Sequence, residues 1–439
     1  MASLPQVATA IQTVLTDIPE EVARATGFLQ RRSKLTPACF VQTLVFGWWQ
    51  HPDATLAQLS QMATVLDQAI TPQGLAQRFS AAAADLLHER LETTVRQVIT
   101  AEPDTPAVLA RFPAVYVLDS TTISLPDALA PVWPGCGGRV PQGSQAALKL
   151  TVRHDLVRGG LEGPTLNAGR AQDKAGPLPR APLPAGALRL ADLGFWSLEG
   201  LGQIAAAGGY FLSRLHRQTT VVIAGKRVDL VAWLRAQDAA TLDVDVTLGL
   251  AAQLPVRLLA MRGPQAQADR RRAKLRAALQ REGKTPSAEL LALADWTLVV
   301  TNAPPALLSL AEVQVLARVR WQIELLFKRW KSGGGLATSR SANPDRVLCE
   351  IYAKLIALVL QHWVLLVSCW RFADRSLTRA AAMVRDYGLA LALVLDHPTR
   401  LRTTLQRIQR ALATGSRIDK RRAHPSAFQL LVDPDRCYA

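Results

Sequence analysis

The chain has 439 residues, 49% of them hydrophobic, and a formal charge of +16 at pH 7. That length allows several domains and a sizeable core, and the apolar share excludes wholesale disorder. A sequence pI near 10.2 is foreign to most enzymes of small metabolites and favours a polyanionic partner, nucleic acid ahead of a membrane surface.

The first residues, MASLPQVATAIQTVLTDIPEE, lack the basic start and apolar core of a secretory signal. Residues 1–105 are helical in pattern, rich in Ala, Leu and Gln. Ala54–Thr64 predicts a short helix, and Thr71-Pro72 starts another, with Thr71 as N-cap and Pro72 at the first helical position. This second helix, PQGLAQRFSAAAADLLHERL, projects Gln73, Gln77 and Arg78 outward near its start. Two short helices across a tight turn have the outline of a helix-turn-helix reader of DNA, an outline shared by any helical hairpin.

From about residue 110 the character changes. AVYVLDS (Ala114–Ser120) is a continuous apolar run ending at Asp119, which predicts a central buried strand. ALKLTVRHDL and the stretch after Arg158-Gly159-Gly160 predict an antiparallel pair. Beyond a Pro-rich loop, ALRLADLGFWS is another strand-like run that delivers Asp192 to its C-terminal end. Ser197 is placed to cap a helix through Glu199 to Ala206, and YFLSRL (Tyr210–Leu215) returns as a strand. Strand with Asp, two strands, strand with Asp, helix, strand is the order of a ribonuclease-H-like core. The expected fold class is therefore mixed α/β.

Residues 218–300 alternate short strand patterns with a very basic helix, DRRRAKLRAALQREGK, and end in WTLVVTN (Trp296–Asn302). They read as a β-rich insertion between core elements. From Ala311 a helix is predicted that contains LARVRWQIELLFKRWKS. At 3.6 residues per turn Arg320, Glu324 and Lys331 would stack in one stripe, with Leu316, Ile323, Phe327 and Trp330 on adjoining apolar faces. By itself Arg320–Glu324 is an ordinary i,i+4 pair. Gly333-Gly334-Gly335 ends the helix. The greasiest run, Leu355–Trp370, holds Gln361 and His362 and falls short of the roughly 20 residues needed to span a bilayer, so it reads as a buried helix. A basic tail follows, with Arg400, Arg402, Arg407, Arg410, Arg417, Lys420, Arg421 and Arg422.

The domains expected on this reading are a helical DNA-binding region (1–105), the core's first part (106–217), the insertion (218–300), the core's second part (301–372) and the helical basic tail (373–439). The five cysteines are scattered without a CxxC pair, which excludes a zinc-finger module and predicts a reducing compartment.

Several local patterns read as structure. GRVPQGS (138–144) lacks the Lys and Ser/Thr of a phosphate loop, and GFWSLEG lacks the glycine spacing of a nucleophile elbow. His154-Asp155 reads as local hydrogen bonding. Arg214, after YFLS, either touches DNA or braces the site. The run Arg270, Arg271, Arg272, Lys274 and Arg276 reads as a solvated helix face that can also track a DNA backbone.

Asp119, Asp192 and Glu324 are two strand-end carboxylates and one helix carboxylate, a set that suits metal-dependent phosphodiester chemistry. Mg²⁺ prefers oxygen ligands, and two ions about 3.5–4 Å apart activate the attacking oxygen and stabilise the leaving one. With these residues in place the chain resembles the bacterial insertion-sequence transposases of the DDE type, in the branch with a β-strand insertion in the catalytic domain. The resemblance runs from the N-terminal helices to about residue 370. It rests on LDSTT at Asp119, ADLGFWS at Asp192, TNAP before the last catalytic helix, and RWQIELLFKRWKS around Glu324. The family's Y-R-E-K spacing is met at Arg320, Glu324 and Lys331, but Ala317 stands where the tyrosine belongs.

The resemblance implies that Asp119, Asp192 and Glu324 bind Mg²⁺ or Mn²⁺, two ions in all, while Arg320 and Lys331 contact phosphates. It implies hydrolysis at a transposon end and transfer of the 3′-OH into target DNA, by a homodimer working on terminal inverted repeats in the bacterial cytoplasm, at the nucleoid and not at a membrane. Relatives often stack a flipped base on an aromatic side chain, for which Trp296 is the candidate, beside its plain reading as core. The rivals are a ribonuclease-H-fold nuclease without strand transfer and, because of Ala317, an inactive DNA-binding derivative.

Overall fold

The computed structural model describes residues 3–18, 20–30, 34–101, 106–136, 145–337, 339, 341–370, 375–418 and 427–432. The first helices are α1 (Leu4–Leu15), α2 (Pro37–Gln50), α3 (Leu56–Val65), α4 (Pro72–Ala76) and α5 (Ala81–Arg96). Each begins on a side-chain cap, from Ser3, Thr36, Thr55, Thr71 and Ser80 in turn. The long helix expected from Pro72 is in fact two. α4 lasts 5 residues, and Ser80 caps a fresh start for α5. Gln73, Gln77 and Arg78 are exposed as expected, but on a single turn and its exit rather than along a reading helix.

The strands follow: β1 (Val115–Leu125), β2 (Ala146–Asp155), β3 (Leu161–Ala168) and β4 (Leu188–Ala191). After α6 (Leu198–Ala206), capped by Ser197, come β5 (Tyr210–Arg214), β6 (Val221–Ile223), β7 (Lys226–Val228), β8 (Thr241–Leu248) and β9 (Leu254–Arg262). The basic helix α7 (Gln265–Arg281) leads to β10 (Trp296–Thr301). Helices close the chain: α8 (Leu310–Val319), α9 (Gln322–Lys328), α10 (Pro344–Cys369), α11 (Leu377–Asp386) and α12 (Pro398–Thr414).

These elements form two compact units, each threaded from three segments: 1–104, 119–178 and 322–424 in the first, and 105–118, 179–321 and 425–439 in the second. The division falls within β1, after Leu118.

In the first unit α10 is the central post. Its 26 residues are almost all buried, and it packs against α2, α5, α11 and α12. It extends well beyond the apolar run read from the sequence, so it is long and apolar enough to cross a membrane by length and composition, yet 94% of its most apolar window is buried within the protein. The antiparallel pair β2–β3 lies beside the second half of β1.

The second unit is built on a mixed sheet. The first residues of β1, then β4 and β5, run parallel, and α6 supplies the crossover that a parallel β4–β5 pair requires. Antiparallel strands follow in the order β10, β9, β8, β6, β7. Phe211, Leu248, Leu258 and Val300 fill one face. The fold is thus mixed α/β with helical terminal regions.

Candidate active site

The strand that carries Asp119 does not stop there. Thr121, Thr122 and Ile123 continue it to Leu125, because β-branched side chains suit a pleated surface even where the apolar run has ended. Asp119 is half-buried near the middle of β1, and the backbone N–H of Ser120 donates to its Oδ1 at 2.8 Å. Successive side chains on a strand point to opposite faces, so Ser120 faces away from Asp119. There its hydroxyl donates to Asp173 Oδ1 at 2.6 Å, and Lys149 Nζ on β2 reaches the same oxygen at 2.9 Å. Burial raises the Asp173 pKa, but the Lys149 ammonium and the Ser120 hydroxyl outweigh it and hold the carboxyl below the ordinary range.

The helix expected to stack Arg320, Glu324 and Lys331 in one stripe is broken. α8 closes at Val319 with Arg320 as its C-cap, α9 restarts at Gln322, and residues Arg329–Gly333 form a π-helical turn. A constant 3.6-residue period therefore does not hold across the motif. Leu316, Ile323, Phe327 and Trp330 are buried, as the apolar pattern requires. Glu324 is half-buried in the first turn of α9. The wider π turn carries Lys331 back to β1, where its Nζ donates to the Thr122 carbonyl at 2.8 Å. Burial lowers the Lys331 pKa. Within the first unit, the π turn that directly follows the helix bearing Glu324 is thus tied to β1 three residues beyond Asp119.

Asp192 belongs to the second unit. It directly follows β4 and is half-buried. The parallel register pairs Leu118 with Ala191, the residues that precede Asp119 and Asp192. α8 starts from a capping box between Ser309 and Glu312, and Arg111 clamps that Glu312 with bonds of 3.0 and 2.6 Å. Arg320 and Ala317 are half-buried. Arg214 ends β5 exposed, close enough for its charge to lower the pKa of Arg271, after burial as the larger cause.

Trp296 is 8% exposed, packed with Leu234 and Ala260, and the Arg262 guanidinium covers its ring at 4.7 Å. In this conformation the ring is part of the core. Among the described residues the aromatic that does stand open near Glu324 in sequence is Trp321, 57% exposed in the turn between α8 and α9. Residue patterns did not single it out, nor the Ser120–Asp173–Lys149 network. The sequence separation of 53 between Ser120 and Asp173 hides that pairing from any local motif.

His154 is buried core, its ring edge-on to His362 and Trp370. Of the arginine run, Arg271 is bound to the carbonyls of Ala294 and Trp296 and to Thr297, and Arg272 pairs with Asp269 and Asp295. Arg270, Lys274 and Arg276 remain exposed. The segment 138–144 and residues 420–422 lie outside the described residues. Among the described residues, no group of three or more His, Cys, Asp or Glu side chains stands close enough to hold a metal ion.

The family model described as "Transposase DDE domain" matches residues 110–360. The chain is 25% identical to the transposase for insertion sequence element IS231F of Bacillus thuringiensis subsp. israelensis, across 94% of this chain and 91% of that one. It is 22% identical to the transposase for IS1151 of Clostridium perfringens, across 79% and 78%. Against the transposase for IS421 of Escherichia coli the identity is 28%, across 78% and 90%.

Proposed function

The chain belongs to the DDE transposase family of bacterial insertion sequences, and from that membership we propose that it cuts DNA at the ends of a mobile element and joins the freed 3′-OH to target DNA. Asp119, Asp192 and Glu324 are the proposed catalytic acids. The observation that carries this assignment is the β1–β4 register, which brings the residues before both aspartates into partnership on neighbouring parallel strands. The Lys331–Thr122 bond adds support for Glu324, because it fastens the turn that follows the glutamate's helix to the same strand.

Three carboxylates are the donor type that hard divalent cations take. Mg²⁺ usually completes its shell with water and substrate phosphate around one or two protein carboxylates, so a chain without DNA need not display a closed cage. Bound there, such ions would supply Lewis-acid stabilisation of charge on the attacking and leaving oxygens. Arg320, Lys331 and Arg214 are the proposed phosphate contacts, the arginines through a planar fork and the lysine as a point charge.

In the first step water attacks phosphorus at the element's end, the P–O3′ bond breaks, and O3′ leaves as a hydroxyl with a proton. That hydroxyl then attacks a target phosphorus, so one P–O3′ bond replaces another and the displaced target O3′ takes the proton. Residues 218–300 fit the role of an insertion in a ribonuclease-H-like core. A homodimer acting on the two inverted repeats completes the proposal.

The test is cleavage and strand transfer on DNA carrying the flanking terminal repeats, with Mg²⁺ or Mn²⁺. We expect Asp119→Ala and Glu324→Gln to abolish both activities while duplex binding stays within about twofold of the parent. Full cleavage by either variant would overturn the site. Ala317 in place of the motif tyrosine favours a second reading, a copy that binds ends without cutting them. Under that reading the parent protein binds but never nicks, and Ala317→Tyr restores nicking.

A further inference from the structure

α12 carries more positive charge than its own stability accounts for. Its inner face is Leu401, Thr404, Leu405, Ile408 and Leu412, all buried, and it packs against α10 and α1 within the first unit. Its outer face presents Arg400, Arg402, Thr403, Gln406, Arg407 and Arg410, all exposed. None of the helix's 17 residues is acidic.

Two features set this face apart from an ordinary solvated one. A stable surface helix gains from acidic residues in its first turn and cations in its last. α12 has no acid in the first turn and no cation in the last, and it places Arg400 at the positive end of its dipole. Like charges three or four residues apart weaken a helix further, and Arg407 and Arg410 make one such pair. Among the described residues, no acidic side chain forms an ion pair with any of the four arginines. Among the described residues Arg402 donates only to its own helix, at the Pro398 carbonyl. Such a distribution opposes the helix and repels a second copy of itself, but it complements a polyanion.

The geometry points to duplex DNA. At 3.6 residues per turn, Arg400, Thr403, Arg407 and Arg410 fall within an arc of about 80°, and at 1.5 Å per residue Arg400 and Arg410 are about 15 Å apart along the axis. A helix about 10–12 Å across fits a major groove about 12 Å wide. Arg, Thr and Gln are the side-chain types that bind phosphate oxygens, and Arg and Gln also read base edges. α4, with its single turn, offers far less.

We therefore propose that the outer face of α12 is a duplex-DNA-binding surface of this protein, held through Arg400, Arg407 and Arg410. The proposal rests on the reading of DNA as the substrate.

It is tested on the full chain with R400A, R407A and R410A combined, and with the matching triple Arg→Lys variant. Binding to a fluorescent duplex of the flanking terminal DNA is measured across a salt series. Three phosphate contacts at about 0.9 each predict that the alanine triple flattens the slope of log K against log salt by about 2.7 and binds roughly tenfold or more weakly at low salt. The lysine triple should keep the slope and unfold at the parent's temperature, and the alanine triple, relieved of the unfavourable charges, should unfold at or slightly above it. A parental slope in the alanine triple overturns the proposal, as does a change in the DNA-free protein's sedimentation, which would make the face a contact between copies. If the parent nicks terminal DNA while the alanine triple binds as well as it does, only this surface fails. A parent with no affinity for duplex fails both readings.

Discussion

Lys354 shows what a single buried charge demands. Its side chain is 1% exposed in the middle of α10, where Nζ donates to Glu350 Oε1 at 2.6 Å and to the Gly335 carbonyl at 2.7 Å. Ser339 donates to the other Glu350 oxygen at 2.8 Å, so the carboxylate is held from two sides. Burial lowers the lysine's pKa, and the Glu350 charge partly restores it. Gly335 can meet this ammonium because it adopts φ +59, and a Cβ there would stand 2.7 Å from that of Pro52. Removing one partner of such a pair strands the other charge in the core, which typically costs about 3–5 kcal/mol, whereas replacing both with apolar groups is often close to neutral. We expect Lys354→Met to lower the unfolding free energy by roughly that amount and the double variant Lys354→Met, Glu350→Leu to recover most of the loss. Chemical denaturation of the three proteins decides the matter, and a single variant as stable as the parent would show that the pair is not under strain.

At the scale of elements, the β2–β3 turn packs onto α10 through two histidines. His362 Nε2 donates to the Gly159 carbonyl at 2.7 Å, while among the described residues neither ring nitrogen of His154 lies in good hydrogen-bond geometry with a partner. Arg329, from the π-helical turn, adds a cation whose field acts on both rings, and its own pKa falls to about 10 through burial. Burial, more than any neighbour, keeps both imidazoles neutral, and the His362 pKa is pushed down to about 4. An unfolded histidine titrates near 6.5, so between roughly pH 6.5 and 4 the unfolded state binds more protons. Stability is therefore fully present above that window and is lost as the pH falls through it, by on the order of 3 kcal/mol for His362. His154→Leu removes a buried polar ring that is poorly satisfied among the described residues, so we expect a protein at least as stable at pH 7 that loses less between pH 7 and 5. Unfolding midpoints across that range provide the check, and parallel curves for the two proteins would refute the idea. The sequence told part of this story. The apolar run on α10 and the antiparallel β2–β3 pair were legible because hydrophobic period and glycine punctuation are local signals. The π turn was not, because a constant helical period across Arg320, Glu324 and Lys331 carries no sign of it. The same limit hid the true length of β1, where a polar Asp-Ser-Thr-Thr run looks like a strand's end until its β-branched residues find a partner strand.

Across the whole molecule, charge is the property that sequence conveys most directly and locates least well. The formal +16 signalled a polyanion at the outset, yet many cations are bound within the protein. Arg257 is buried on the carbonyls of Ala303 and Leu308 beside Asp243, Arg153 pairs with Glu162, and Arg375 caps the carbonyls at the end of α12. Patterns of arginine and lysine cannot distinguish these from Arg400, Arg407 or Lys274, because an arginine's role depends on whether folding brings an acid or carbonyl to it. The proposed catalytic acids stand out in the sequence for the opposite reason. A carboxylate that interrupts an apolar run stands out, and Asp119 and Asp192 do so within a recognisable strand order. If the unpartnered cations bind duplex, DNA becomes a ligand of the folded state alone and must stabilise it. Duplex at a hundred times its Kd contributes about 2.7 kcal/mol, which raises the melting temperature of a chain this size by a few degrees. Because the contacts are to phosphate, the gain should shrink steeply as salt rises and vanish in molar salt. Melting curves with and without random-sequence duplex, at low and high ionic strength, measure both effects. A melting temperature indifferent to DNA at low salt would mean that the excess charge serves something other than nucleic acid.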